Sequence, residues 1–421
     1  MSKSKKWLGT ALSAALTVSL VAPGVSQAAS AEATASATSA QNATAAASGT
    51  GARDIAGHWA EKSIRKWESY GLVHGYADHT FRPDAEITRA EFVSIVNHLF
   101  GFSAKSATAF SDVPATAWYA NALSIARQAD YFKGLPGNLA KPTDKIARQD
   151  AVVLLAQAFE LSLPEGAAAL TYKDKEQIRA YALASVQALS GAISGYSNGT
   201  FRPDGSISRA EAVSLIDKLV PAYYAEKGTF SGGNIAGHAV VAGSGVVLSD
   251  AVIEGNLYLA PGIGDGEATL NNVTVKGITY VSGGGGKPIV LNGSKLGEVR
   301  VNRRDGEVRL SARGATEIRS LVADSASKIE LGEGAKVENM KLNRAAELDV
   351  AEGASIASLA IGGEAAGTKL TGQGDIAQAA IQAAGVTLNG AAVEAGTVAV
   401  ARGAIVPATS GSVSPLTSIS W

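Results

Sequence analysis

The chain contains no cysteine in 421 residues. That absence excludes a disulfide framework, a thiol nucleophile and any thiolate-ligated metal. Charge of one sign is also missing: 37 Lys and Arg stand against 38 Asp and Glu, a formal net charge of −1. Such a balance supplies no basic field for nucleic acid. Beyond the N-terminal region no apolar run approaches the roughly 20 residues needed to span a membrane. Gly-x-Ser-x-Gly, P-loop and His-Glu-x-x-His sequences are absent, and His58, His74, His79, His98 and His238 keep no metal-ligand spacing. Catalytic residues, a bound metal and a cofactor are therefore not expected.

At the start, Lys3, Lys5 and Lys6 precede an apolar run from Trp7 to Ala22, and Ser26-Gln27-Ala28 sets small residues at the −3 and −1 positions. This layout predicts a secretory signal over residues 1–28, cut before Ala29, with no membrane association afterwards. Residues 29–52 are dominated by Ala, Ser and Thr, a composition that cannot bury enough apolar surface to order itself. They read as a spacer. An exported chain of this kind must be held at a surface by what it binds.

The strongest positive signal is an internal repeat. Gly75-Tyr76, Phe81-Arg82-Pro83-Asp84 and Thr88-Arg89-Ala90-Glu91 return as Gly195-Tyr196, Phe201-Arg202-Pro203-Asp204 and Ser208-Arg209-Ala210-Glu211. A middle copy carries Gly134-Leu135, Lys141-Pro142 and Ala147-Arg148-Gln149-Asp150. Each copy ends in a helix with an i, i+3, i+4, i+7 apolar stripe, as in Phe92, Ile95, Val96 and Leu99. Three equivalent stripes predict helices packed about a pseudo-threefold axis. Thr88 with Glu91, and Ser208 with Glu211, form S/T-x-x-E capping boxes. Capping does not require Arg89, Arg148 or Arg209 between them, and a cation at a helix N-terminus runs mildly against the macrodipole. Two readings follow. Each guanidinium holds an anion beside free backbone N–H groups, or it pairs with a carboxylate of a neighbouring module. Trp59 and Trp118, with Tyr181 in the corresponding place of the third copy, supply flat faces for sugar rings, or core. Aromatic and guanidinium together suit an acidic glycan.

On these residues, about 53 to 225 resemble three consecutive S-layer homology modules, over 53–103, 108–163 and 170–225; Thr88-Arg89-Ala90-Glu91 matches the family's TRAE signature. The resemblance implies an all-α, three-pronged domain whose inter-module grooves bind a peptidoglycan-linked secondary cell wall polysaccharide, often one with pyruvylated amino sugars. The family's signature Arg matches Arg89 and Arg209, and its helix-start Trp matches Trp59 and Trp118. Arg148, Tyr181, Gly75, Tyr76, Gly195 and Tyr196 complete the candidate glycan-binding set. Module two departs from the pattern, with Ala147, Asp150, Leu135 and Ala140 in place of Thr, Glu, Tyr and Phe. These changes favour the grooves that use Arg89 and Arg209.

The second half changes character. From 230 to 400 Gly and Ala dominate, and an apolar anchor recurs at Leu248, Leu270, Leu291, Leu310, Leu331, Val350, Leu370 and Leu388. A second beat follows, as in Val337, Met340 and Leu342, then Ile356, Leu359 and Ile361, then Ile376, Ala379 and Ile381. A period near 20 residues with short alternating strands predicts an all-β, right-handed β-solenoid (β-helix), and residues 401–421 read as a flexible tail. Lys295, Arg300, Arg303, Arg304, Arg309, Arg313 and Arg319 form either a basic ladder for an acidic polymer or a solvated mixed-charge face. The whole reads as a secreted bacterial surface protein that anchors noncovalently to the cell wall and displays a structural or adhesive solenoid, open to self-association or an outer glycan partner. The alternative is a tethered polysaccharide lyase or hydrolase with a β-helix catalytic domain.

Overall fold

The structure, a computed structural model, describes residues 52–163, 166, 169–393, 395–401 and 404–407, the last two stretches from 397 onward as backbone only. The expected signal sequence, the expected spacer up to Gly51 and most of the expected tail lie outside the described residues. Those described fall in one compact unit.

Among the described residues the helical part has six α-helices: α1 (Glu61–Ser69), α2 (Arg89–Phe100), α3 (Ala120–Gln128), α4 (Arg148–Ala158), α5 (Ala180–Ala188) and α6 (Arg209–Leu219). Helix α2 starts on a complete capping box from Thr88 and Glu91 and stops at Gly101, whose φ of 66° closes the last turn. Helix α6 starts on the matching box from Ser208 and Glu211. Helix α4 begins at Ala147 with the same extended backbone but no side-chain cap. The first helix of each module packs on the second helix of the preceding one: α3 on α2, α5 on α4, and α1 on α6. In the α1–α6 contact Asp217 accepts from Ser63 (2.6 Å), Lys66 (2.7 Å) and the Trp67 indole N–H (3.1 Å).

The pseudo-threefold axis is closed by backbone. Ile87 donates to Ile207 at 3.0 Å, Ile146 to Ile87 at 3.1 Å, and Ile207 to Ile146 at 3.2 Å. All three Ile are fully buried, so this ring of hydrogen bonds sits where no water competes for it.

From Ala222 the chain winds into a β-solenoid of parallel strands. Three apolar columns run along two of its strand ladders. One joins Leu248, Leu270, Leu291, Ala312, Leu331 and Val350 in register. The second joins Ile318, Val337, Ile356 and Ile376, and the third Leu321, Met340, Leu359 and Ala379. The second beat read from sequence matches these registers, whereas the anchor series mixes two columns. Leu310, Leu370 and Leu388 belong two residues earlier, aligned with Ile289, Ile329 and Leu348. Residues i and i+2 of a strand face the same side, so a two-residue slip leaves the apolar pattern intact. Beyond Leu388 the order changes: Gly396–Ala401 pairs antiparallel with Asp375–Ile381, and Ala404–Pro407 antiparallel with Gly396–Ala401. These strands cover the end of the parallel stack.

The solenoid leans on the helices. Tyr258 and Tyr280 lie stacked with centroids 5.0 Å apart. Their hydroxyls donate to the carbonyls of Phe159 (2.6 Å) and Glu160 (3.1 Å) at the end of α4. Gly101 and Gly262 touch backbone to backbone, and a Cβ on Gly101 would stand 2.4 Å from Gly262 Cα. Both aromatic rings belong to the helical core, so the joint is a packed one.

Candidate functional site

The three repeat arginines point inward. Arg89, Arg148 and Arg209 are only 7%, 6% and 8% exposed, and each reaches into the next module around the ring. Arg89 donates to the Ala140 carbonyl (3.0 Å) and lies 3.3 Å from Asp150. Arg148 donates to Ser194 O (2.9 Å) and lies 3.8 Å from Glu211. Arg209 donates to Phe81 O and His74 O (both 2.9 Å) and lies 3.7 Å from Glu91. The pairing with a neighbouring module's carboxylate, one of the two sequence readings, is the geometry seen. The helix N–H groups imagined for an anion are already spent. Those of Arg89, Arg148 and Arg209 donate to Asp144, Gly205 and Ala85, and those of Ala90, Gln149 and Ala210 to Pro142, Pro203 and Pro83. The next N–H in α2 and α6 goes to Thr88 and Ser208.

A tyrosine meets each of these carboxylates. Tyr76 reaches Glu91 at 3.4 Å and Tyr196 reaches Glu211 at 2.6 Å, each within its own module. Module two has Leu135 at that place, and the hydroxyl comes instead from Tyr181 of module three, 2.6 Å from Asp150. The neighbouring carboxylate and burial together push the Tyr181 phenol up to about 12, burial being the larger cause. Gly75 and Gly195 make the loops possible: a Cβ there would lie 2.8 and 2.9 Å from the carbonyls of Thr80 and Thr200, which accept from Tyr76 N–H and Tyr196 N–H.

Sequence reasoning passed over a second set of cations. Arg82 lies 4.2 Å over the Tyr76 ring and Arg202 3.9 Å over Tyr196, rings that Arg209 and Arg148 also approach, each at 5.0 Å. Both are exposed. Asp54, Asp112 and Asp174 set these positions. Each carboxylate takes two backbone N–H groups, of Phe81 and Arg82, Ala140 and Lys141, and Phe201 and Arg202, at 2.7–2.8 Å. Burial raises these carboxyls, but the N–H donors outweigh it and hold all three below the usual carboxylate range. The grip fixes the left-handed backbone at Arg82, Lys141 and Arg202, with φ of 55°, 48° and 57°. The signal was there to read: Arg follows in the modules that carry Tyr76 and Tyr196, and Lys141 where Leu135 replaces Tyr.

The three inter-module junctions are not equal. Arg82 is neutralised by Asp78 at 2.8 Å and Lys141 lies 3.9 Å from Asp144. Arg202 makes no salt bridge among the described residues and feels the Asp174 carboxylate only at longer range. At the same junction the buried Arg148 Nε has no acceptor, although its counterparts on Arg89 and Arg209 do.

Aromatic faces stand open beside these junctions: Trp59 is 63% exposed, Trp118 41% and Tyr181 57%, whereas Trp67 is buried at 1%. Trp59 adjoins His58, which bonds Asp84 at 3.2 Å, next to Pro83, whose carbonyl receives the Ala210 N–H. It therefore lies by the N-terminus of α6. Trp59 and Trp118 immediately precede the N-cap residues of α1 and α3, but Tyr181 is the second residue of α5. The third aromatic is displaced along its helix, which lets it reach Asp150.

On the solenoid, the basic cluster is largely paired. Lys295 meets Glu317, Arg300 meets Glu298, Arg303 meets Asp265 and Asp305, Arg304 meets Asp130, and Arg309 meets Glu330. It forms the mixed-charge face. Among the described residues no metal-binding group of His, Asp and Glu occurs, and no helix is long and apolar enough to cross a membrane.

Residues 53–93, 109–152 and 171–213 match the S-layer homology domain. The chain is 32% identical over 173 residues to an amylopullulanase of Thermoanaerobacterium thermosulfurigenes, covering 40% of this chain and 9% of that protein. It is 30% identical over 169 residues to a cellulosome-anchoring protein of Acetivibrio thermocellus, covering 38% and 37%. To a surface layer protein of Brevibacillus choshinensis it is 32% identical over 104 residues, covering 24% and 9%. The chain thus spans well under two thirds of the length of the relatives it matches.

Proposed function

We propose that this chain, which carries three S-layer homology domains ahead of a β-solenoid, is a secreted protein that anchors to the bacterial cell wall without covalent chemistry. Its inter-module grooves take an acidic secondary cell wall polymer of the pyruvylated kind, and the solenoid is a structural or adhesive element held at a fixed angle to the wall. The observation that carries this reading is the trio of open aromatic faces, Trp59, Trp118 and Tyr181. Leaving a tryptophan in water costs hydrophobic stabilisation, and a flat ring beside polar groups suits the apolar face of a sugar. Names among the relatives, a cellulosome-anchoring protein and a surface layer protein, support the same reading.

Within the grooves the buried arginines build the walls and Arg202, stacked on Tyr196, is the accessible cation. This favours the groove between modules two and three over those of Arg89 and Arg209. The amylopullulanase shares only the module-bearing 40% of this chain, which lends the solenoid no catalytic role. Incubating the full chain with acidic polysaccharides tests the distinction: retention without released product agrees with an anchor, and steady product release contradicts it.

A further inference from the structure

A cleft of about 360 Å³ opens where the solenoid meets the helices. It shares no residue with the inter-module grooves, so what it binds is independent of the wall-anchoring reading. Its size falls within the range of roughly 300–1,000 Å³ in which small ligands are held, and domain junctions are a usual place for such sites. Phe102 and Tyr280 supply its apolar wall. Gln128, Ser282 and Asn302 line it, each half-buried. None of these three side chains has a hydrogen-bond partner among the described residues. Buried polar groups are normally hydrogen-bonded to protein or ordered water, whereas these three, only half-buried, keep donors and acceptors to offer a ligand. Here they converge unspent on one space, with Ser282 and Asn302 following Val281 and Val301, which pair on adjacent coils.

Charge in the cleft is largely cancelled from within. Asp130 lies 3.7 Å from Lys133 and 3.6 Å from Arg304, and Asp305 is held by Arg303 at 2.9 Å. An anionic ligand would have to break these pairs and would also meet Glu160. Amides and hydroxyls that both give and accept, beside an aromatic wall, match an uncharged polyhydroxylated ring.

From this we infer that the junction cleft is a second carbohydrate site, taking one or two uncharged pyranose units by hydrogen bonds to Gln128, Ser282 and Asn302 against Phe102 and Tyr280. Because the cleft is walled by both domains, a sugar seated there braces the angle between them.

Saturation-transfer NMR on the full chain tests this with glucose, mannose, N-acetylglucosamine, N-acetylmannosamine and glucuronate at millimolar concentration. Transfer to at least one uncharged sugar, exceeding that to glucuronate, is expected. Asn302→Ala should weaken that sugar's affinity by about fivefold, the worth of one lost hydrogen bond. Ser282→Trp, which fills the cleft, should abolish it at an unchanged thermal midpoint. Absence of transfer to all four uncharged sugars overturns the inference, as does stronger transfer to glucuronate. So does transfer that persists undiminished in Ser282→Trp. If Ser282→Trp fails to fold, Asn302→Ala decides: unchanged affinity overturns the site.

Discussion

The Tyr181 hydroxyl lies 2.6 Å from Asp150, and the same carboxylate faces Arg89 at 3.3 Å. One side chain of module two thereby ties module three to module one. Tyr181→Phe removes one hydrogen bond and should cost about 1 kcal/mol. Asp150→Asn strands a buried guanidinium and should cost more, about 2–3 kcal/mol, short of a fully buried pair because the carboxylate is partly exposed. Urea unfolding of both variants and of the double variant measures the coupling. Additive losses would show that the two contacts act independently.

The two classes of arginine should behave differently. Arg209→Ala removes a buried cation that holds Phe81, His74 and Glu91, and should lower stability by about 3–5 kcal/mol, with wall binding lost as the modules separate. Arg202→Ala touches an exposed side chain and should move the thermal midpoint by no more than a degree or two, yet weaken wall binding several-fold. Calorimetry read beside binding distinguishes them; a stable Arg209→Ala protein would reassign that guanidinium to the ligand.

How much of this was legible beforehand differs by level. The three modules, their stripes and the capping boxes could be read because helix starts are encoded locally, in Thr88 with Glu91 and Ser208 with Glu211. The fate of Arg89, Arg148 and Arg209 could not. Their partners lie 46 to 135 residues away, and spacing says nothing about which side of a helix end closes against the next module. In the solenoid the beat of Val337, Ile356 and Ile376 is legible and matches the register, while the column of Leu310 is not, because strand periodicity cannot see a two-residue shift. The role of Asp54, Asp112 and Asp174 is not legible in the sequence, since each works through backbone N–H groups 27 or 28 residues on.

Module two offers a gain. Ala147 has φ −70° and ψ 149°, close to the −79° and 161° of Thr88, and lacks the cap. Ala147→Thr should therefore stabilise the protein by about 0.5–1 kcal/mol, and Ser208→Ala should destabilise it by about 1 kcal/mol. A lower urea midpoint for Ala147→Thr would mean that the site has no room for the methyl and hydroxyl.

Acid should loosen the joint between solenoid and helices, where the His238 ring lies 5.9 Å from that of Phe159. Burial pushes the His238 imidazole down to about 4, and its Nδ1 accepts the Asn256 N–H at 2.8 Å, which requires an unprotonated nitrogen. A group with a depressed folded pKa stabilises fully above its unfolded value, here about 6.5, and that contribution fades as pH falls toward 4. Stability should drop by on the order of 1–3 kcal/mol across that window, and His238→Gln should flatten the slope there. The depressed carboxyls of Asp54, Asp112, Asp174 and Asp217 act only at lower pH, so the two limbs can be separated by unfolding at pH 7, 5 and 3.

The most direct measurement is co-sedimentation of the full chain with isolated wall sacculi, before and after the non-peptidoglycan polymer is stripped. Tight pelleting that disappears on stripping, and that Trp59→Ala with Arg202→Ala reduces at least tenfold while the protein stays folded, is the expected result. Pelleting that survives removal of the polymer, or that ignores both substitutions, would contradict binding through the grooves.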